Sequence, residues 1–168
     1  MAGDKYLYIN GGAITEKASL QSSAGAGDAG KIPALDASGR LDTSMMPVGI
    51  AADTASIVAS EALAAGDWVN VWNSGGAKVR KADATVAGKE AHGFVLAAVA
   101  NGANATVYFE GTNTAVTGQT PGVVFLSTTA GLGTPTAPSA AGNVVQRIGY
   151  AVSATAVNFQ SQPPVVLA

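Results

Sequence analysis

The spacing of apolar positions falls into two regimes that meet near residue 50. Before that point there is one short alternating segment, Tyr6-Leu7-Tyr8-Ile9, stopped by Asn10-Gly11-Gly12. From Ala13 to Gly30 the side chains are small or polar, with only Ile14 and Leu20 as large aliphatics. Such a stretch buries too little surface to offset its own ordering entropy, so it is expected either to stay flexible or to become ordered against a partner. Spaced anchors return at Ile32, Leu35, Leu41, Met45 and Met46, ahead of Pro47-Val48. That spacing suits docking better than tethering. Residues 1–50 therefore read as an extended arm with short strands and turns.

After residue 50 the pattern is that of strands. Ser56-Ile57-Val58-Ala59 comes first. In Asp67 to Asn73, Trp68, Asn70 and Trp72 share one face, with Val69 and Val71 on the other. Ser74-Gly75-Gly76 then turns the chain into Ala77 to Lys81, which predicts a hairpin. Further strands are expected over 93–99, 105–110, 123–127, 144–152 and 155–159, separated by Gly, Asn, Pro and Thr clusters. Ser60 to Ala65 is the one helix-like stretch, and it is too short to matter. Residues 51–168 thus read as a small β-barrel or sandwich, and the fold class as all-β. A loose internal echo points to a barrel of related halves: Gly93-Phe94 followed by Thr106 to Phe109 resembles Gly149-Tyr150 followed by Thr155 to Phe159.

Composition sharpens this picture. The 168 residues include 34 alanines, but only 37 are Val, Ile, Leu or Phe, so the core must be thin and largely valine. The formal net charge of −2 comes from interspersed charges, which leaves no basic patch for a nucleic acid. No apolar run approaches the roughly 20 residues of a membrane-spanning helix. There is no cysteine, which excludes thiolate chemistry, and one histidine. Met1 and the apolar end Val165 to Ala168 read as those of a complete small protein, and the N-terminus lacks the build of a signal peptide.

Candidate chemistry is sparse. Gly25-Ala26-Gly27-Asp28-Ala29-Gly30 spells a dinucleotide fingerprint, but no strand pattern precedes it and Pro33 stops a following helix, so a flexible glycine linker is the better reading. Asp36-Ala37-Ser38-Gly39 opens like a calcium loop, yet Leu41 and Val48 stand where that loop needs glycine and glutamate, which leaves a tight turn. His92 has no nucleophile motif to serve; three copies around a symmetry axis could bind a metal, but a surface or interface histidine is the simpler reading. The carboxylates Asp53, Glu61, Asp67, Asp83, Glu90 and Glu110 form no evident pair, and the aromatics Trp68, Trp72, Tyr108 and Tyr150 suit a core or a subunit seam better than a sugar platform. Neither catalytic residues, nor a cofactor, nor a metal is expected.

Residues 29–47, Ala-Gly-Lys-Ile-Pro-Ala-Leu-Asp-Ala-Ser-Gly-Arg-Leu-Asp-Thr-Ser-Met-Met-Pro, resemble a segment of tailed-bacteriophage virion proteins. Downstream, Ala64 to Asn70, Val79 to Asp83, His92 to Val95, Val107 to Gly111, Leu126 to Gly131 and Gly142 to Gln146 resemble phage capsid decoration (cement or head-fibre) proteins. The resemblance implies a small β-domain, commonly a homotrimer, on the outer surface of the phage head, where it clamps neighbouring subunits of the major capsid protein. It implies no enzymatic activity, no small-molecule ligand and no nucleic-acid or membrane partner. Tyr6, Tyr8, Ile9, Ile32, Leu35, Leu41, Met45, Met46, Trp68, Trp72 and Phe109 are the candidate interface residues. The alternative is a tail-fibre or baseplate component that recognises a host surface glycan.

Overall fold

The computed structural model describes residues 5–46 and 53–168, and the chain divides into two compact units, Met1–Ala51 and Ala52–Ala168. It is all-β. Among the described residues the helical turns are two three-residue 3-10 turns, Ala26–Asp28 and Thr43–Met45.

The first unit opens with a hairpin of β1 (Lys5–Asn10) and β2 (Ala13–Ala18), paired in register from Lys5↔Ala18 to Asn10↔Ala13. Gly11 and Gly12 form its two-residue turn with φ of 59° and 89°, the double positive φ that a tight hairpin of this kind demands. The expectation that the stretch from Ala13 stays flexible or becomes ordered only against a partner is therefore corrected for residues 13–18, which pair with β1. Gly-Gly between two runs of strand-forming residues was the signal for it. Beyond the hairpin, Leu20 bridges Pro33, with Leu20 N–H on Ile32 O at 2.9 Å. The glycine-rich segment is not a featureless linker either. Asp28 accepts from Ala24 N–H at 2.6 Å and pairs with Lys31, also at 2.6 Å, which closes the turn on itself. Asp36 Oδ1 accepts from the Ser38 and Arg40 N–H groups at 2.8 and 2.9 Å, so Asp36 to Arg40 is the tight turn its sequence predicts, with Gly39 at φ 76°.

The second unit combines a ring and an open sheet. The ring joins β3 (Thr54–Ala59), β4 (Trp68–Asn73), β5 (Ala77–Lys81), β6 (Gly93–Phe94) and β7 (Asn104–Tyr108) in the order β3-β5-β4-β6-β7, and β7 pairs back onto β3. All its pairings are antiparallel except β3 with β5. The open sheet runs β10-β9-β12-β13-β8, built from β8 (Gly111–Asn113), β9 (Gly122–Leu126), β10 (Gly133–Thr134), β12 (Arg147–Ser153) and β13 (Ala156–Phe159). A separate two-residue pair joins β11 (Val144–Val145) to β14 (Val165–Val166).

Two apolar clusters hold this unit. Ala59, Leu63, Val69, Val79, Val95, Ala105 and Val107 form one among the ring strands, and their small size fits so narrow a ring. The second lies where ring and sheet meet. Trp68, Phe94 and Tyr108 are register partners across three ring strands, and the sheet residues Val124, Leu126, Ile148, Val157 and Phe159 belong to the same cluster. Trp68 lies 5.7 Å from Phe94 and 5.5 Å from Phe159, and Phe94 stacks on Tyr108 at 5.4 Å.

The echo seen in the sequence has a local counterpart but does not make one barrel of two halves. Gly93-Phe94 lies in the ring and Gly149-Tyr150 in the open sheet. In both, a side chain on the glycine would run into the carbonyl oxygen of the residue that pairs with the following aromatic, Tyr108 for Phe94 and Asn158 for Tyr150. Close backbone approach explains glycine at each site.

Candidate interaction surfaces

Among the described residues no group of three or more His, Asp or Glu side chains could hold a metal ion. His92 is exposed, and its Nδ1 accepts from Val71 N–H at 3.0 Å. Buried polar side chains serve the backbone. Gln146, 2% exposed, accepts from Ala91 N–H at 2.8 Å and donates to Ala91 O and Ser161 Oγ, both at 2.9 Å. It thereby ties this stretch to the segment before Gly93, while the strand expected over 144–152 divides at Gln146 into β11, paired with β14, and β12, paired with β9. Asn113, fully buried, donates to Gly66 O at 3.0 Å.

Two buried carboxylates pull in opposite directions. Burial pushes the Asp67 carboxyl above the usual aspartate range, and the Ala64 N–H and the Lys81 ammonium only partly restrain it. Burial acts on Asp83 too, but the Thr85 hydroxyl and N–H and the Lys89 ammonium together outweigh it and hold the group below that range. By linkage, the contribution of Asp83 is complete above the unfolded value near 3.8 and is lost as pH falls through its lower folded value. That of Asp67 is complete below 3.8 and is lost as pH rises through its higher folded value. Asp83→Asn should therefore cost about 1–2 kcal/mol at neutral pH and flatten the acid side of the stability profile. Asp67→Asn should be near neutral or stabilising at pH 7. Urea unfolding between pH 3 and pH 7 checks both, and equal losses in the two variants would contradict the assignment.

The expected interface residues separate into three groups. In the first unit, Leu7, Ile9 and Ile14 lie on one face of the hairpin at 71%, 75% and 73% exposure. Tyr6 and Tyr8 occupy the opposite face, half-buried, with Lys17 Nζ 5.0 Å from the Tyr8 ring centre. Ile32, Leu35, Leu41 and Met46 are also exposed, while Met45 lines a cleft of about 270 Å³ with Leu20, Pro33 and Lys31. Pro47 and Val48, which close the arm motif, lie outside the described residues, as does the boundary near residue 50.

The second group is Trp68, whose expected place at an interface is corrected, and Phe109. Trp68 is 1% exposed and is a core residue, not one offered to a partner, because its face of β4 is covered by the open sheet. Phe109 is half-buried and packs against the cluster inside the ring. The third group is Trp72, on the same face as Trp68 but beyond the sheet's cover, half-buried with the Arg80 guanidinium 4.4 Å from its ring centre.

A surface that sequence reasoning missed is the outer face of the open sheet. Val123, Tyr150, Asn158 and Thr112 form one cross-strand row, and Thr134, Phe125 and Arg147 another. Val123, Tyr150 and Val152 are exposed, and Arg147 donates to the Tyr150 hydroxyl at 2.7 Å. The alternation of Gly122 to Leu126 held the signal, had the outward positions been read as well as the inward ones.

Among the described residues no helix is long and apolar enough to cross a membrane. No protein-family model, no curated protein and no solved structure matches the chain.

Proposed function

We propose that this chain is a non-enzymatic structural protein of a tailed-bacteriophage virion, which decorates the head and stabilises it by binding between major capsid protein subunits. The observation that carries the reading is the state of the first unit. Leu7, Ile9, Ile14, Ile32, Leu35 and Leu41 are exposed, and among the described residues of the unit none is fully buried, so these side chains find no core there. An isolated two-stranded hairpin is marginal in water, and one with an uncovered aliphatic face gains most from burial against another surface. The resemblance of residues 29–47 to phage virion proteins falls within this unit, and the downstream resemblance to decoration proteins supports the head as its location.

On this reading the anchors engage the outer surface of the shell and the second unit forms a homotrimer. Repetition over a symmetric lattice converts weak single contacts into firm retention. The protein's work is mechanical: it bridges capsomers against the outward pressure of packaged DNA.

Solution mass and head binding test it. Chains of 16.5 kDa should sediment as a species of about 50 kDa and bind expanded, emptied heads of the encoding phage at lattice stoichiometry. Ile9→Thr and Ile14→Thr keep strand propensity and change exposed positions, so folding should be unaffected. Each should weaken head binding about tenfold, as expected for losing a buried isoleucine from an interface. A monomer that ignores heads and is retained on a glycan array would move the protein to the tail.

A further inference from the structure

The ion pairs among the described residues are Lys5–Glu16, Lys31–Asp28, Lys81–Asp67 and Lys89–Asp83. Lys78 and Arg80, both outward on β5, have no carboxylate partner among them. Arg80 is nonetheless held firmly. Its Nε donates to Asn70 Oδ1 at 3.0 Å and its Nη2 to Gly88 O at 2.7 Å, and the guanidinium lies 4.4 Å from the Trp72 ring centre. The scaffold beneath is itself fixed. Asn70, 1% exposed, donates to Glu90 O at 2.8 Å, and Trp72 Nε1 donates to Ser60 Oγ at 3.1 Å, which in turn donates to Val79 O. Lys78 is the direct register partner of Trp72, which puts a second cation beside the same ring.

Among the described residues, neither Glu90 nor Glu61 pairs with Arg80 or Lys78. Glu90 accepts from Gly88 N–H with both oxygens at 3.0 Å, and Glu61 accepts from Lys81 N–H at 2.8 Å. A guanidinium has five N–H donors, and Arg80 uses two of them inward, so three remain, both hydrogens of Nη1 included. Holding an arginine over an aromatic ring, with its remaining donors unpaired among the described residues, lowers the ordering cost of binding a planar oxyanion.

We propose that Arg80, Trp72 and Lys78 form a docking site for an acidic segment of a partner protein, whose carboxylate is taken by the free guanidinium donors while Lys78 supplies the second charge and the Trp72 ring an apolar contact. This goes beyond the capsid reading and does not rest on it. The charge balance selects a protein carboxylate over a polyanion. Residues 53–168 carry five basic and six acidic side chains, and Arg147 is the only basic one after Lys89. A nucleic acid or sulfated glycan needs a longer cationic track than two adjacent side chains.

The test uses the full-length, ¹⁵N-labelled chain titrated with acetylated, amidated hexaglutamate and followed by NMR. The Trp72 indole and Arg80 Nε–H signals should move saturably, while the buried Trp68 indole stays still as an internal reference. Lys78→Gln, which removes no hydrogen bond or ion pair of the fold, should weaken the effect severalfold, and Arg80→Lys should weaken it about tenfold by losing the planar fork. Raising salt from 50 to 300 mM should weaken it as well. The proposal is overturned if hexaglutamine moves the same signals equally, if Lys78→Gln leaves the titration unchanged, or if no shift occurs at millimolar peptide. It is equally overturned if a heparin hexasaccharide or an oligonucleotide shifts them where hexaglutamate does not.

Discussion

Gly149→Ala is expected to unfold the second unit or to lower its stability by about 3 kcal/mol or more. The added Cβ would overlap the Asn158 carbonyl oxygen and lie 3.0 Å from Asn158 C and 3.3 Å from Gln160 N. These are backbone atoms of β13 and the residue after it, so no rotamer change relieves the clash. The two strands must separate, and β12 is the centre of the open sheet, paired to β9 on one side and β13 on the other. Parting them exposes Ile148, Ala151 and Val157 together. A shift in the urea midpoint with loss of cooperativity is the expected signature. An alanine variant within 1 kcal/mol of the parent would mean that β12 and β13 do not pair in this register.

Trp68→Ala carries the next largest expected loss, about 3–5 kcal/mol, the usual cost of removing a buried large aromatic. The indole is enclosed by Phe94 and Phe159, and on its β10 side the Cβ position of Gly133 lies only 3.3 Å from Nε1. Truncation leaves a cavity between two β-structures that cannot collapse without breaking pairing in one of them. Trp72→Ala, at a half-buried position outside that seam, should cost less than half as much. Calorimetry on the two variants compares them, and equal losses would contradict the view that the aromatic row of Trp68, Phe94 and Tyr108 joins ring to sheet.

The contrast between these tryptophans shows where sequence reading works and where it stops. Alternation correctly placed Trp68, Asn70 and Trp72 on one face of a strand, and the Ser74-Gly75-Gly76 turn located the β4–β5 hairpin. Alternation does not say what covers a face. Residues contributed from position 124 onward bury Trp68, and nothing local to it announces them. Strands of two or three residues, such as β8, β10 and β14, lie below the length at which a period of two can be recognised. The expected strand over 93–99 keeps only Gly93–Phe94, because Val95 N–H turns to Asp67 O and Val95 O receives Gly66 N–H, an exchange with a loop rather than a strand. In the first unit, few apolar residues imply order only against a partner from Ala13 onward, whereas the double-glycine turn and the Lys5–Glu16 pair at 2.9 Å give the hairpin local support that a hydrophobicity count does not weigh.

The parallel pairing of β3 with β5 sets the order in which a nascent chain can be completed. β4 and β5 can zip locally as soon as their three-residue turn has emerged, and β3 can lie beside β5 shortly afterwards. The other edge of β3 waits for Asn104–Tyr108, which begins 23 residues beyond the end of β5, before the ring can shut. At about 5–20 residues per second that is an interval of roughly 1–5 seconds on the ribosome. Thr54 and Ser56 alternate with the apolar positions along β3, which tempers its stickiness during the wait. The interval makes β3 the strand through which two half-made chains would exchange partners, so slowed translation between positions 81 and 104 should raise the yield of intertwined products.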